Sequence, residues 1–261
     1  MFTAGIFWEY FKTYLKTRLT YRSDFWVEVF SDILYLAINL VFIVVIFEHT
    51  QLLDGWTREQ IIFVYGFFMV PWGVFSSLFN LWGFTERYIV KGEMDRVLTR
   101  PVHNLAQLLL ENMDPSGLVS AVFGFAIMAY AWPALGVTLD WYDPIVFALL
   151  TIGAIAVYGG VYIALTAISF FSDSPTGIMP LMFNIQSYGR YPITIYNRVL
   201  QFVLTWLLPL AFVGFYPAAF FLEAEELYGY ALLTPVVGAV FLTIGLLVWQ
   251  AGVKRYRGAG S

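Results

Sequence analysis

The 261-residue chain contains no cysteine and only two histidines, His49 and His103. Disulfides, thiolate metal sites and cysteine nucleophiles are thereby excluded, and two histidines are too few for a histidine metal cluster. Charge is scarce as well. Asp, Glu, Lys and Arg make up 12% of the residues, against roughly 25% in a soluble domain. There is no Gly-x-x-x-x-Gly-Lys-Ser/Thr phosphate cradle, no His-Glu-x-x-His and no Gly-x-Ser-x-Gly. Neither ATP hydrolysis nor covalent catalysis is expected of this chain. A net charge of −4 gives no sign of a nucleic-acid partner. The N-terminus carries acidic Glu9 and no small-residue cleavage site behind a short apolar core, so no cleaved signal peptide is expected.

What the chain has instead is apolar length. Hydrophobic residues account for 60% and aromatics for 20%. A bilayer crossing takes about 20 apolar residues, so the chain has room for six. The expectation is a single all-α membrane domain, 1-261, with spans over 25-47, 60-84, 116-135, 144-171, 196-216 and 232-252. Residues 2-22 are different. Glu9, Lys12, Thr13, Lys16, Thr17 and Thr20 recur at helical spacing, with Phe7, Trp8, Phe11, Tyr14, Leu15 and Leu19 between them. That pattern predicts an amphipathic helix lying in the membrane interface.

The few charges are distributed unevenly. Thirteen of the fourteen Lys and Arg residues fall before span one, in the island 86–101, between spans four and five, or at the C-terminus; only Arg58 falls elsewhere. The alternate loops hold acids instead: Glu48, Asp54, Glu59, Asp140, Asp143, Glu223, Glu225 and Glu226. The positive-inside rule then places both termini and the island in the cytoplasm. The island runs Glu86-Arg87-Tyr88-Ile89-Val90-Lys91-Gly92-Glu93-Met94-Asp95-Arg96-Val97-Leu98-Thr99-Arg100-Pro101 between two hydrophobic runs. It is the place where a channel-former could take hold of a soluble motor.

Two further stretches carry more than apolar filling. Asp24, Glu28 and Asp32 are spaced by four, on one helix face, and Tyr35 and Asn39 extend that face deeper. An acid inside a span is costly and faces a cavity or a partner. Either the stripe lines the inner part of a transport path, or it pairs with Lys12, Lys16, Arg18, Arg22 or a neighbouring subunit. The second stretch is 209–230, where Pro209 and Pro217 break the helix near the outer face. A short re-entrant hairpin and a kinked fifth span followed by a plain loop both fit. Asn80, Asn184, Gln186, Tyr188, Arg190 and Tyr191 are lesser candidates, since such residues often join helices.

Lys91-Gly92-Glu93-Met94-Asp95-Arg96-Val97-Leu98-Thr99-Arg100-Pro101-Val102 resembles the segment after the second span in permeases of the type-2 ABC exporter superfamily. Tyr191-Pro192-Ile193-Thr194-Ile195-Tyr196 is a second likeness. Leu208-Pro209-Leu210-Ala211-Phe212 with Tyr216-Pro217-Ala218 is a third. Together they resemble the branch of small six-span permeases, over essentially the whole chain. Met94 stands where a leucine is common. The resemblance implies a transmembrane permease subunit in a bacterial inner membrane, driven by two copies of a separate ATPase that bind ATP and Mg. A second permease, identical or homologous, would complete the path. A cytoplasmic coupling helix would place Glu93, Met94, Asp95, Arg96, Leu98 and Arg100 at or near the ATPase. The interfacial helix 2-22 and an outer re-entrant hairpin over 209–230 would match the family's own. Glu28, Asp32, Tyr35 and Asn39 are the candidate translocation path, and the acids lean toward a small amphipathic or cationic cargo for export. The rival expectation is an ATPase-independent secondary transporter or channel that uses Asp32.

Overall fold

The computed structural model describes residues 22–172, 184, 185, 187–256 and 258, together with Gly5, Glu9 and Lys12. The expected interfacial helix 2-22 therefore lies almost wholly outside the described residues; within it, Glu9 and Lys12 are helical and ion-paired at 2.9 Å. Among the described residues the protein is all-α, with one isolated extended pairing, Leu53 with Trp56. Helix is what lipid demands, because hydrocarbon leaves backbone N–H and C=O groups no partner but each other.

The long helices are α1 (Arg22–His49), α2 (Arg58–Leu78), α5 (Leu118–Leu135), α6 (Asp143–Ala167) and α9 (Tyr228–Arg255). Five segments are long and apolar enough to cross a bilayer: Val29–His49, Arg58–Leu78, Pro115–Leu135, Asp143–Phe171 and Glu225–Arg255. A bent pair, Arg198–Leu207 with Leu210–Phe221, meets at 71° and has the form of a broken sixth span or of a re-entrant loop. It comprises α7 (Arg198–Phe202), a π turn to Leu207, a 3-10 turn at Leu210–Phe212 and α8 (Phe215–Phe221). Two short helices, α3 (Met94–Leu98) and α4 (Asn104–Glu111), lie between α2 and α5.

Local signals set the helix ends. Thr57 and Gln60 form a capping box on α2: the Thr57 hydroxyl accepts from the Gln60 amide, and the Gln60 side chain accepts from the Thr57 amide. Upstream, Asp54 and Gly55 both have positive φ, at 51° and 84°. That is the turn geometry an Asp-Gly pair favours. It clamps Leu53 to Trp56 through bonds of 3.0 and 3.1 Å. Gly136 ends α5 in the left-handed conformation, φ 66°.

Glycines at seven-residue spacing zip the long helices into two pairs. Gly66 and Gly73 of α2 face Gly124 of α5 and Gly117 just before it, which run the opposite way. Gly153 and Gly160 of α6 face Gly238 and Gly245 of α9. A Cβ on Gly160 would sit 2.3 Å from the Phe241 backbone, and one on Gly73 would sit 2.5 Å from the Ala121 nitrogen. Seven residues are two helical turns, so each glycine pair brings the backbones together on the same face. In lipid, where apolar side chains gain little by leaving one oil for another, such close approach is what holds helices together.

The order of the second set of contacts matters. Positions 153, 160 and 170 of one strand of chain meet 238, 245 and 252 of the other in the same sequence, so α6 and α9 are parallel. The connection from Phe171 to Glu225 must return along the bundle. Thr194 lies at the far end, where the Trp56 indole donates to its hydroxyl at 3.0 Å. Trp56 belongs to the loop between α1 and α2, at the end where α6 begins. The bent pair follows that point. Its elbow packs against Phe68, midway along α2: Gly214 lies against Phe68 and Gly189, and Leu210 against Gly189. Helix α1 is the outlier. Only 17% of its apolar window is buried, which leaves Trp26, Phe30, Leu34, Ile38, Val41 and Phe42 open to lipid or to another chain.

Candidate functional site

At the end of the bundle where α2 stops and α5 begins, α3 and α4 form a charged platform over an apolar plug. Met94 and Val97 of α3 are fully buried. Beneath them Phe84, Phe170 and Trp249 meet with ring centres 5.2–5.5 Å apart. Trp249, on the last turns of α9, donates its indole N–H to the Asn104 side chain at 3.0 Å. The Asn112 side chain donates to the Tyr88 hydroxyl at 2.9 Å. The Asp114 amide donates to the Ser77 carbonyl at 2.9 Å, and Thr85 and Ser169 share a bond of 2.7 Å. The platform is thus fastened to α2, to the turn after α6 and to α9 together.

Glu111 of α4 is the electrostatic knot. It accepts from both terminal nitrogens of Arg96, at 3.2 and 2.8 Å, from Arg100 at 2.9 Å and from Gln107 at 2.9 Å. Burial pushes the Glu111 carboxyl up, but the bonds from Arg96 and Gln107 and the charges of Arg96 and Arg100 outweigh it and hold the group below the usual carboxylate range. Glu93 pairs with Arg87 at 2.9 Å, and Lys91 with Glu86 at 2.8 Å. Asp95 lies exposed beside Gly258 and Tyr256. Burial first, then the Asp95 carboxylate, pushes the Tyr256 phenol up to about 12.

The expected docking residues therefore share one platform but do different things. Asp95, Leu98 and Arg100 are exposed. Arg96 is exposed and held by Glu111. Glu93 is half-buried and occupied by Arg87. Met94 is not at the surface at all: it is 0% exposed, so it seats α3 from below. A leucine-like residue is required there by the plug rather than by a partner.

The second constellation lies inside the bundle. Arg190, in the 3-10 turn Ser187–Arg190, is 7% exposed. Its guanidinium donates to the Asn39 side-chain oxygen, to the Tyr35 hydroxyl at 3.3 Å and to the Ser187 carbonyl at 3.0 Å. With Asp32, Tyr35, Leu36, Phe68, Met69, Trp72 and Ser120 it lines a cavity of about 180 Å³. So Tyr35 and Asn39 of the expected stripe bond to Arg190, and Asp32 lines the same cavity. The Glu28 side chain lies outside the described residues. Sequence reasoning counted Arg190 among loop cations and ranked it a minor helix-joining residue; the joining is what it does, and its burial is what was missed.

The family profile of the ABC-2 family transporter proteins matches residues 33–260. The chain belongs to the ABC-2 transporter family. No curated protein and no solved structure matches it. An ABC-2 permease is the membrane component of a transporter and is not itself catalytic, which agrees with a chain that has no phosphate-binding motif. Its apolar helices make it a multi-pass membrane protein, and membership of this family implies an ABC ATPase as a partner.

Proposed function

We propose that this ABC-2 permease is an exporter subunit and that its ATPase grips the α3–α4 platform. The observation that carries this reading is how the platform is fixed. A five-residue helix cannot stay helical alone in water, yet α3 is held by two buried side chains and a salt-bridge knot, with Asp95 and Leu98 exposed. Force applied there reaches α2 through the Asp114–Ser77 bond and α9 through the Asn104–Trp249 bond. Closure of an ATPase dimer around ATP and Mg would move these spans as rigid bodies. Two ATPase copies and a second permease, identical or homologous, complete the assembly. The lipid-open face of α1 is where that second permease fits.

The same contacts support a topology. The platform side is cytoplasmic, with both termini, in a bacterial inner membrane. Eleven of the fourteen basic residues still favour that side once Arg190 and Arg198 are removed from the count. The Trp56–Thr194 bond, which ties Thr194 to the outer loop, supports a chain that is already at the outer side by Thr194, in place of the expected span 196-216. The bent pair 198–221 then enters and leaves on the outer side, as a re-entrant hairpin with its elbow at Phe68.

The test is affinity capture of the ATPase by purified permease in nanodiscs. Leu98→Asp is the clean perturbation, because Leu98 is exposed and makes no ion pair. Arg96→Glu would also break the Glu111 knot. Capture should fall at least tenfold with Leu98→Asp while the permease remains folded. Unchanged capture, or transport by the permease without any ATPase, would overturn the reading.

A further inference from the structure

Arg190 presents a charge-balance problem. A guanidinium that is 7% exposed has surrendered most of its water, which is costly without a counter-charge. Among the described residues no salt bridge reaches it. Its partners are neutral: the Asn39 and Tyr35 side chains and the Ser187 carbonyl. Its charge also faces two aromatic rings, with the guanidinium carbon 5.9 Å from the Tyr35 centre and 6.0 Å from the Phe68 centre. A guanidinium offers five N–H donors, and these bonds use three. The remainder belong to a group that lines a cavity of about 180 Å³. A water occupies about 30 Å³, so the space suits a headgroup and its first carbons better than a single solvent molecule.

The rest of the lining says what kind of molecule fits. Leu36, Phe68, Met69 and Trp72 supply an apolar wall, and Tyr35 and Ser120 supply hydroxyls. Asp32 lies on the same cavity. Its carboxylate disfavours a second negative charge on the ligand. We infer that the Arg190 cavity binds an amphipathic monoanion, with its carboxylate or phosphate on Arg190 and its apolar chain along Phe68 and Trp72. The inference rests on the permease reading for its role in transport, but the binding itself does not. It reverses the cationic cargo that the acidic stripe alone suggests. The anionic group could belong to a soluble amphiphile or to a membrane lipid, and the two are separable.

Trp72 makes the site observable. A bromine carried on a ligand quenches an indole on contact. The permease alone, in phosphatidylcholine nanodiscs, is titrated with 6-bromododecanoate and with (6-bromododecyl)trimethylammonium, which carry bromine at the same carbon, near opposite heads. The Trp72 contribution is the difference between the wild type and Trp72→Phe. The anion should quench that component at a concentration at least tenfold lower than the cation does. Arg190→Gln should abolish the preference, and Arg190→Lys should retain most of it. Repeating the titration in phosphatidylglycerol nanodiscs identifies the source: quenching lost there means that the lipid headgroup holds the site, and quenching retained means that it takes a free amphiphile. Equal quenching by the two heads in the wild type refutes the inference, and that arm needs no variant that might fail to fold. Persistence of anion preference in folded Arg190→Gln refutes it too. ATPase capture, measured separately, reports only on the permease reading.

Discussion

Replacing Glu111 with Gln isolates the electrostatic half of the platform's support. The substitution keeps the side-chain shape and one acceptor oxygen but removes the charge that Arg96 and Arg100 share. Hydrogen bonds to a charged group contribute about 1.5–3 kcal/mol when sheltered. Here the carboxylate is sheltered, with 11% of its side chain exposed, but the two arginines are 41% and 42% exposed, and exposed ion pairs contribute only about 0.2–1 kcal/mol. Taking each arginine contact near the upper end of the exposed range gives a loss of about 1–2 kcal/mol. Met94 and Val97 keep α3 seated, so the bundle itself should not unfold. The cost falls on the fraction of molecules with α3 and α4 locked together, and 1–2 kcal/mol is a factor of about 5–30 in such a population. If the ATPase requires the locked form, its affinity drops by that factor. Biolayer interferometry of purified ATPase on permease nanodiscs reads it directly, with thermal unfolding of the permease as the control. An affinity within twofold of wild type would show that the knot does not organise the docking surface.

The same knot has a pH signature. Because the folded state holds Glu111 below its ordinary value of 4.5, its stabilisation is fully present above pH 4.5 and is lost as pH falls through the lower folded value; a spin label at Leu98→Cys should stay immobile from pH 8 to 5 and loosen below about 4.5, and Glu111→Gln should remove that transition. Gly160→Leu should separate α6 from α9 and destabilise the protein by about 1–3 kcal/mol or more, seen as a lower melting temperature in detergent, whereas Gly83→Ala, where a Cβ meets nothing within 4 Å, should change stability by less than about 0.5 kcal/mol. The native chain lacks cysteine, so single-cysteine labelling is unambiguous: Lys91→Cys should react with a membrane-impermeant maleimide from the cytoplasmic side and Thr194→Cys from the opposite side. Labelling of both from one side would refute the proposed end of the fifth crossing.

Much of this architecture is legible in the sequence because the bilayer simplifies the code. Uninterrupted apolar runs announce α1, α2, α5, α6 and α9, since twenty greasy residues have few other fates. What sequence reasoning misses depends on pairing across distance. Gly153 and Gly160 suggest close helix packing from the string alone, but the repeat by sevens that joins them to the glycines at 66, 73, 117, 124, 238 and 245 acquires its meaning only once two helices are known to face each other. Arg190 sits among prolines and glycines and reads as one more loop cation. Its partners Tyr35 and Asn39 are 155 and 151 positions away, beyond any local pattern. The island behaves differently again. Its charges are evident, yet only the folded platform separates Met94, which plugs, and Arg96, which is tied down, from Leu98, which is presented.

The glycine seams also impose a timetable on biogenesis. The α2 seam closes when α5 arrives, about 44 residues after Gly73; at roughly 5–20 residues per second of synthesis that is a wait of about 2–9 s. Helix α6 waits longer. Gly238 is made about 85 residues after Gly153, so for roughly 4–17 s its narrow groove has no mate and is filled by acyl chains. The parallel seam can therefore form only by expelling lipid from an already inserted helix. Helix α9 is the one that closes this seam, and a chain truncated before Gly238 would insert its first spans and still be unable to close it.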